Sequence, residues 1–210
     1  MRRLLGIGAM VIFLILPVGV LAERSDGNTS KTTTFQGQTW TCDEAVRAAE
    51  VVYRGRPALH VSVPSSGTLS VAGVDFRNGA IEVDLAAPRR GIPGIGFRGL
   101  SEGEWRNRVF FQRLHRGERE KQEALDQAVV TCRKGTNIVL ITHFSKGPRE
   151  GRLNWFHVRL VVQGDSVAIF LEGEEKPIVT LGAVLEDGKG TIGLCGSDFY
   201  LSNFKFAEES

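Results

Sequence analysis

The stretch that decides the fold is WFHVRLVVQGDSVAIFLEG, residues 155–173, followed by GTIGLCG at 190–196 and FYLSNFKF at 199–206. In the first string Phe156, Val158, Leu160 and Val162 share one side of an extended chain, and Val167, Ile169 and Leu171 resume the alternation after Gln163-Gly164-Asp165. A period of two on both sides of a Gly-Asp pair predicts a β-hairpin with one buried face. The glycine supplies the positive φ that the turn requires, so turn chemistry and register agree.

Working outward, most of the chain repeats this signal. ALHVSV (58–63), TLSVAGVDF (68–76), GAIEVDLAA (79–87), GIGFRGL (94–100), NRVFFQRLH (107–115), AVVTCR (128–133), NIVLITHF (137–144) and PIVTLG (177–182) are short, β-branched or aromatic, and bounded by turn formers. Two helical features interrupt them. Thr41 to Glu50 reads as a short N-terminal helix with Thr41 and Glu44 as a capping box, and the charged run from Gly117 to Val129 reads as a helical or loop insertion. About ten strands with no recurring helices predict an all-β, two-sheet antiparallel jelly-roll sandwich.

The ends bound the compartment. Met1-Arg2-Arg3, the apolar run from Leu4 to Val20 and the small-residue end at Val20-Leu21-Ala22 have the form of a secretory signal peptide over residues 1–22. A secreted or periplasmic protein, with no stable membrane insertion after cleavage, is the expectation. Residues 23–34 read as a flexible polar spacer, 35–206 as one sandwich domain and 207–210 as a tail. Without Arg2 and Arg3 the 26 basic residues become 24, matching 24 acidic ones, so nothing drives attraction to nucleic acid. Cys42, Cys132 and Cys195 are too widely spaced for a zinc or redox motif. An oxidising compartment permits one disulfide, Cys42 with Cys195 if first and last strands are neighbours, or else three buried thiols.

The order of GAIEVDL, GIGFRG, VFFQRLH, the hairpin, GTIGLCG and FYLSNFKF resembles the concanavalin A-like lectin and glucanase superfamily, most closely secreted bacterial laminin-G-like and 3-keto-disaccharide-hydrolase-like domains. The match covers about residues 51–206. The chain departs from those domains at Arg113-Leu114-His115, where Leu stands for their Pro. The resemblance implies the sandwich, and carries over Arg113, His115, Asp126 and Gln127 as polar groups of a concave face.

Several residues are candidates for chemistry. Glu82 and Asp84 point to one side of the IEVDL strand, about 7 Å apart, the spacing of a carboxylate pair in sugar hydrolysis. The positions of a third carboxylate in retaining glucanases hold Ala86 and Ala87, so the general acid of that mechanism is missing. Arg98 and Arg113 are expected on neighbouring strands as a polar floor for sugar hydroxyls, or as a structural ion network. His115 is the candidate acid/base, and Trp105 the exposed stacking platform. No pair of histidines has metal-ligand spacing, and no cofactor motif is present. The leading expectation is glycan binding, with a 3-keto-disaccharide-hydrolase-like enzyme or a laminin-G-like protein adhesion module as alternatives.

Overall fold

The computed structural model describes residues 31–62, 68–88, 91–100, 104–114, 125–132, 137–140 and 153–209. Residues 112–114, 125–132, 137–140 and 153–154 are described by backbone position alone. All regular structure among them is β. The strands are β1 (Lys31–Phe35), β2 (Gln38–Cys42), β3 (Arg47–Tyr53), β4 (Arg56–Ser62), β5 (Leu69–Val71), β6 (Gly79–Ala87), β7 (Ile92–Gly99) and β8 (Trp105–Leu114), then β9 (Leu125–Cys132), β10 (Asn137–Leu140), β11 (Leu153–Gln163), β12 (Ser166–Leu171), β13 (Val179–Leu181), β14 (Thr191–Ser197) and β15 (Phe199–Glu208). An eight-stranded sheet runs β1-β2-β5-β14-β7-β8-β9-β10 and a seven-stranded sheet runs β13-β12-β11-β6-β15-β4-β3. Every ladder is antiparallel, so the jelly-roll sandwich is as the sequence predicts.

The hairpin is β11–β12, closed by Gln163 opposite Ser166, with Gly164 at φ 56°. Its inward residues Phe156, Val158, Leu160, Val162, Val167, Ile169 and Leu171 join the core with Ile81, Val83 and Leu85 of β6. From the opposite sheet Ile95, Phe97, Val109, Phe111, Ile192 and Leu194 meet them. Each buries apolar area worth about 25 cal/mol per Å².

The N-terminal region corrects the sequence reading. Thr41 to Glu50 is no helix: Thr41 and Cys42 end β2, a turn closes with Val46 N–H donating to the Asp43 carbonyl, and Arg47 starts β3. Asp43 Oδ2 accepts from Thr68 N–H and Oγ1, both at 2.8 Å, which anchors the turn to the approach of β5. Pairing of β3 with β4 over seven residues overrides the local helical preference of Ala and Glu. Lys31 to Thr34, expected in the spacer, belong to β1, and Ala207 and Glu208, expected in the tail, belong to β15. The charged run from Gly117 ends in strand, since β9 begins at Leu125; residues 117–124 lie outside the described residues.

No disulfide joins Cys42 and Cys195, both free and buried. Cys42 is in register with Leu69 of β5, which is in register with Leu194 of β14. The two cysteines therefore sit on strands separated by a third, about 9.5 Å apart, beyond the roughly 7 Å that a disulfide can bridge. They also face opposite sides, because Leu194 shares the core side with Cys42 and Cys195 follows it. Burial pushes both thiols up, Cys195 to about 12.

Two features shape the rest of the eight-stranded sheet. The Trp105 indole lies on its outer side across β7 and β14, where a Cβ at Gly96 or Gly193 would collide with the ring. At Arg98, φ 54° and a register shift against β14 form a bulge that turns the side chain across the end of the sandwich. There, fully buried, it donates to the carbonyls of Arg77 (2.8 Å), Glu186 (3.0 Å) and Gly164 (2.6 Å) and to Asn78 Oδ1 (3.2 Å). Asn107 completes this clamp by exchanging two 2.8 Å bonds with the Glu186 peptide. Desolvation pulls the Arg98 pKa down and the nearby Asp187 opposes it, so the guanidinium keeps its charge.

Two measurements check these assignments. Arg98→Lys replaces a five-donor fork with one ammonium and lowers the unfolding free energy by about 2–4 kcal/mol in urea titrations. Thiol labelling at pH 8 without reductant leaves Cys42 and Cys195 unmodified in the folded protein and modifies both after denaturation. A linked Cys42–Cys195 peptide would overturn the strand geometry described above.

Candidate functional site

Strand alternation places Glu82 and Asp84 of β6 together on the outer side of the seven-stranded sheet, because Ile81, Val83 and Leu85 fill the core. The facing strand β11 sets His157 opposite Asp84 and Arg159 opposite Glu82. On the other flank, β15 sets Ser202 opposite Asp84 and Lys205 opposite Glu82. Glu82 thus sits in register between two cations, whereas Asp84 becomes the centre of a built cluster.

Asp84 Oδ1 is 2.8 Å from His157 Nδ1, while Oδ2 accepts from Asn203 Nδ2 at 2.6 Å and Arg56 Nη1 at 3.3 Å. With its side chain only 10% exposed, the carboxylate depends on these donors to replace water. Asn203 reaches it because φ 51° and a register shift between Ser202 and Lys205 bulge β15. Beyond the bulge β15 leaves β4, having paired only through Phe199, Tyr200 and Leu201. Side chains take over the lost ladder: Ser202 Oγ donates to the Pro57 carbonyl, and Gln36 accepts from Asn203 N–H and donates to Ser202 Oγ.

Freed from β15, the tip of the β3–β4 hairpin reaches across this side to β11. Trp155 Nε1 donates to the Tyr53 carbonyl at 3.2 Å, and the Arg56 guanidinium lies 5.6 Å from the Trp155 ring centroid. Four rings form a ladder. Trp155 meets Tyr53 edge-on at 6.0 Å, Tyr53 stacks on Tyr200 at 3.7 Å, and Tyr200 stacks on His60 at 4.5 Å. His60 is held at the far end by Asp198, 2.9 Å away. Burial, then Tyr53 and Asp198, push the Tyr200 phenol up, so it remains a neutral donor. All four rings are partly exposed.

Backbone conformation marks the same place. Gln36, Arg54, Asp198, Asn203 and Glu172, all non-glycine residues at positive φ, border the Asp84 cluster or its ring ladder. Such conformations cost stability and gather where the chain holds a shape for use.

The other expected site residues do not converge here. Arg98 is the loop clamp, with no exposed surface to offer a ligand. Trp105 is 3% exposed and packed on glycines, so it is no stacking platform. Arg113 pairs with Asp126, and Gln112 with Gln127, in the β8–β9 ladder of the other sheet, so these positions share no face with Glu82 and Asp84. His115 lies outside the described residues. Ala86 and Ala87 are fully buried. Among the described residues no group of three His, Cys, Asp or Glu could hold a metal.

Some of the residues that converge on this side had a sequence signal. Setting WFHVRL antiparallel to IEVDL with apolar positions aligned inward puts Trp155, His157 and Arg159 on the side of Glu82 and Asp84. Tyr53, Arg56 and Asn203 had none, because the β15 bulge brings them in.

No protein-family model and no curated protein sequence matches the chain. Solved structures are similar to it in fold. The carbohydrate-binding module CBM66 from Bacillus subtilis superposes with a TM-score of 0.55 at 13% identity, over 80% of this chain and 95% of that one. A Bacillus subtilis protein of unknown function with a galectin-like fold gives 0.52 at 14% identity, over 81% and 90%. What the chain shares with both is the two-sheet antiparallel sandwich fold.

Removing the carboxylate at the centre tests the cluster. Asp84→Ala lowers stability by about 1–2 kcal/mol and speeds amide hydrogen exchange at residues 53–56, since the hairpin tip loses its anchor. Unchanged exchange there would show that Asp84 does not hold the tip.

Proposed function

We propose that this chain is an exported glycan-binding module, and that the glycan lies on the outer side of the seven-stranded sheet against the ring ladder and the Asp84 cluster. One observation carries the reading: an outward carboxylate saturated by His157, Arg56 and Asn203, beside four partly exposed rings. Apolar ring surface next to fixed donors and acceptors is the combination a sugar needs, with one apolar and one hydroxyl-bearing aspect. The site is an open surface, which suits a chain ligand better than a small enclosed one. The shared fold with a carbohydrate-binding module supports the reading, and the apolar leader supports export.

Hydrolysis is the weaker reading. Asp84 has its lone pairs engaged by neighbours, and Ala86 and Ala87 supply no proton.

Glycan-array screening of the wild-type chain followed by calorimetry is the test. Trp155→Ala and His157→Ala each weaken binding by about tenfold or more, equivalent to about 1.4 kcal/mol, while circular dichroism stays unchanged. If both variants bind as wild type, the glycan sits elsewhere and this assignment fails.

A further inference from the structure

We infer that the glycan carries acidic groups, carboxylate or sulfate, and that Arg54 and Arg56 at the hairpin tip receive them at the Trp155–Tyr53 end of the ring ladder. The inference rests on the glycan-binding reading above and adds the ligand's charge to it.

Asp84 accepts from three side chains, so its charge is directed inward. Arg56 gives Asp84 one nitrogen at 3.3 Å, and its side chain, 51% exposed, keeps its other donors for solvent. Arg54 is exposed, lies 5.6 Å from the centroid of Tyr53, and has no ion-pair partner among the described residues. Tyr53 and Trp155, the rings over which the two guanidinium groups lie, touch each other. His157 commits Nδ1 to Asp84, which leaves Nε2 for the ligand. This end therefore offers donors, two of them guanidinium forks that match a carboxylate or sulfate in paired geometry.

The backbone adds an independent observation. Arg54 occupies the first central position of a two-residue turn, at φ 50°, followed by Gly55 at 77°. Asn or Asp fits that position with less strain than a long side chain. At the equivalent strained turn position Gln36, the side chain repays the conformation through bonds to Asn203 and Ser202. The two-residue turn requires this φ, and the side chain it presents at the tip has, among the described residues, only its contact with the neighbouring Tyr53 ring. Of the acidic residues near the ladder, Asp198 faces His60 at the opposite end, while Glu172 follows β12 beside the His157 carbonyl.

The experiment compares matched oligosaccharides, neutral, uronate-bearing and sulfated, by calorimetry at low and raised salt against the wild type, Arg54→Gln and Glu172→Gln. An acidic ligand binds about tenfold or more tightly than its neutral counterpart at low salt, and the preference shrinks as salt rises. Arg54→Gln loses most of that preference, and Glu172→Gln keeps it. Uronate and sulfate arms identify which anion is preferred, either supporting the inference. Equal binding of neutral and acidic ligands, or an acidic preference that Arg54→Gln leaves intact, overturns it while the glycan-binding reading stands. Binding of none of the three overturns both.

Discussion

The structure around the site depends on one backbone irregularity, the bulge at Ser202 and Asn203 in β15. Without it β15 would continue to pair with β4, and the β3–β4 hairpin would lie flat as the edge of the seven-stranded sheet. With it the ladder stops after three residues, Asn203 turns toward Asp84, and the hairpin tip is free to cross to β11. The cost is a set of backbone groups left without ladder partners. Gln36, from the turn joining β1 and β2 in the opposite sheet, meets part of it, which ties the edge of one sheet to the irregularity in the other.

A second irregularity works at the other end of the sandwich and toward a different purpose. The bulge at Arg98 sends a cation into the interior, where its solvation is replaced by three carbonyls and an amide oxygen from separate loops. Both bulges redirect a polar side chain out of simple alternation. At Arg98 the result is closed and mechanical, since every donor direction meets protein. At Asn203 the result is open, since the residue is exposed and its neighbours keep unused donors.

How much of this the sequence reveals depends on the range of the interactions involved. The β11–β12 hairpin is legible because alternation, turn glycine and length are all local, and the pairing of β11 with β6 follows from aligning two apolar faces. Strand β3 is not legible, since CDEAVRAAE favours a helix in isolation and becomes turn and strand only when β4 is present to pair with it. Trp105 is misread for a similar reason: its resting place is defined by glycines on β7 and β14, which say nothing of a tryptophan until the strands are adjacent. The carboxylate pair is placed correctly by alternation, but which of the two becomes the centre is decided by Asn203 and Arg56, residues distant in sequence.

The indole of Trp105 has a consequence in the history of the sequence. It occupies the space above Gly96 and Gly193 and also presses on Gly99, so four positions on three strands share one volume. A side chain can appear at Gly96 only if the tryptophan has first given way to something smaller, and at Gly193 the Leu69 carbonyl bars one as well. Gly96 and Trp105 are thereby coupled, and co-variation of the two among descendants would record the adjacency of β7 and β8 long after overall similarity had faded.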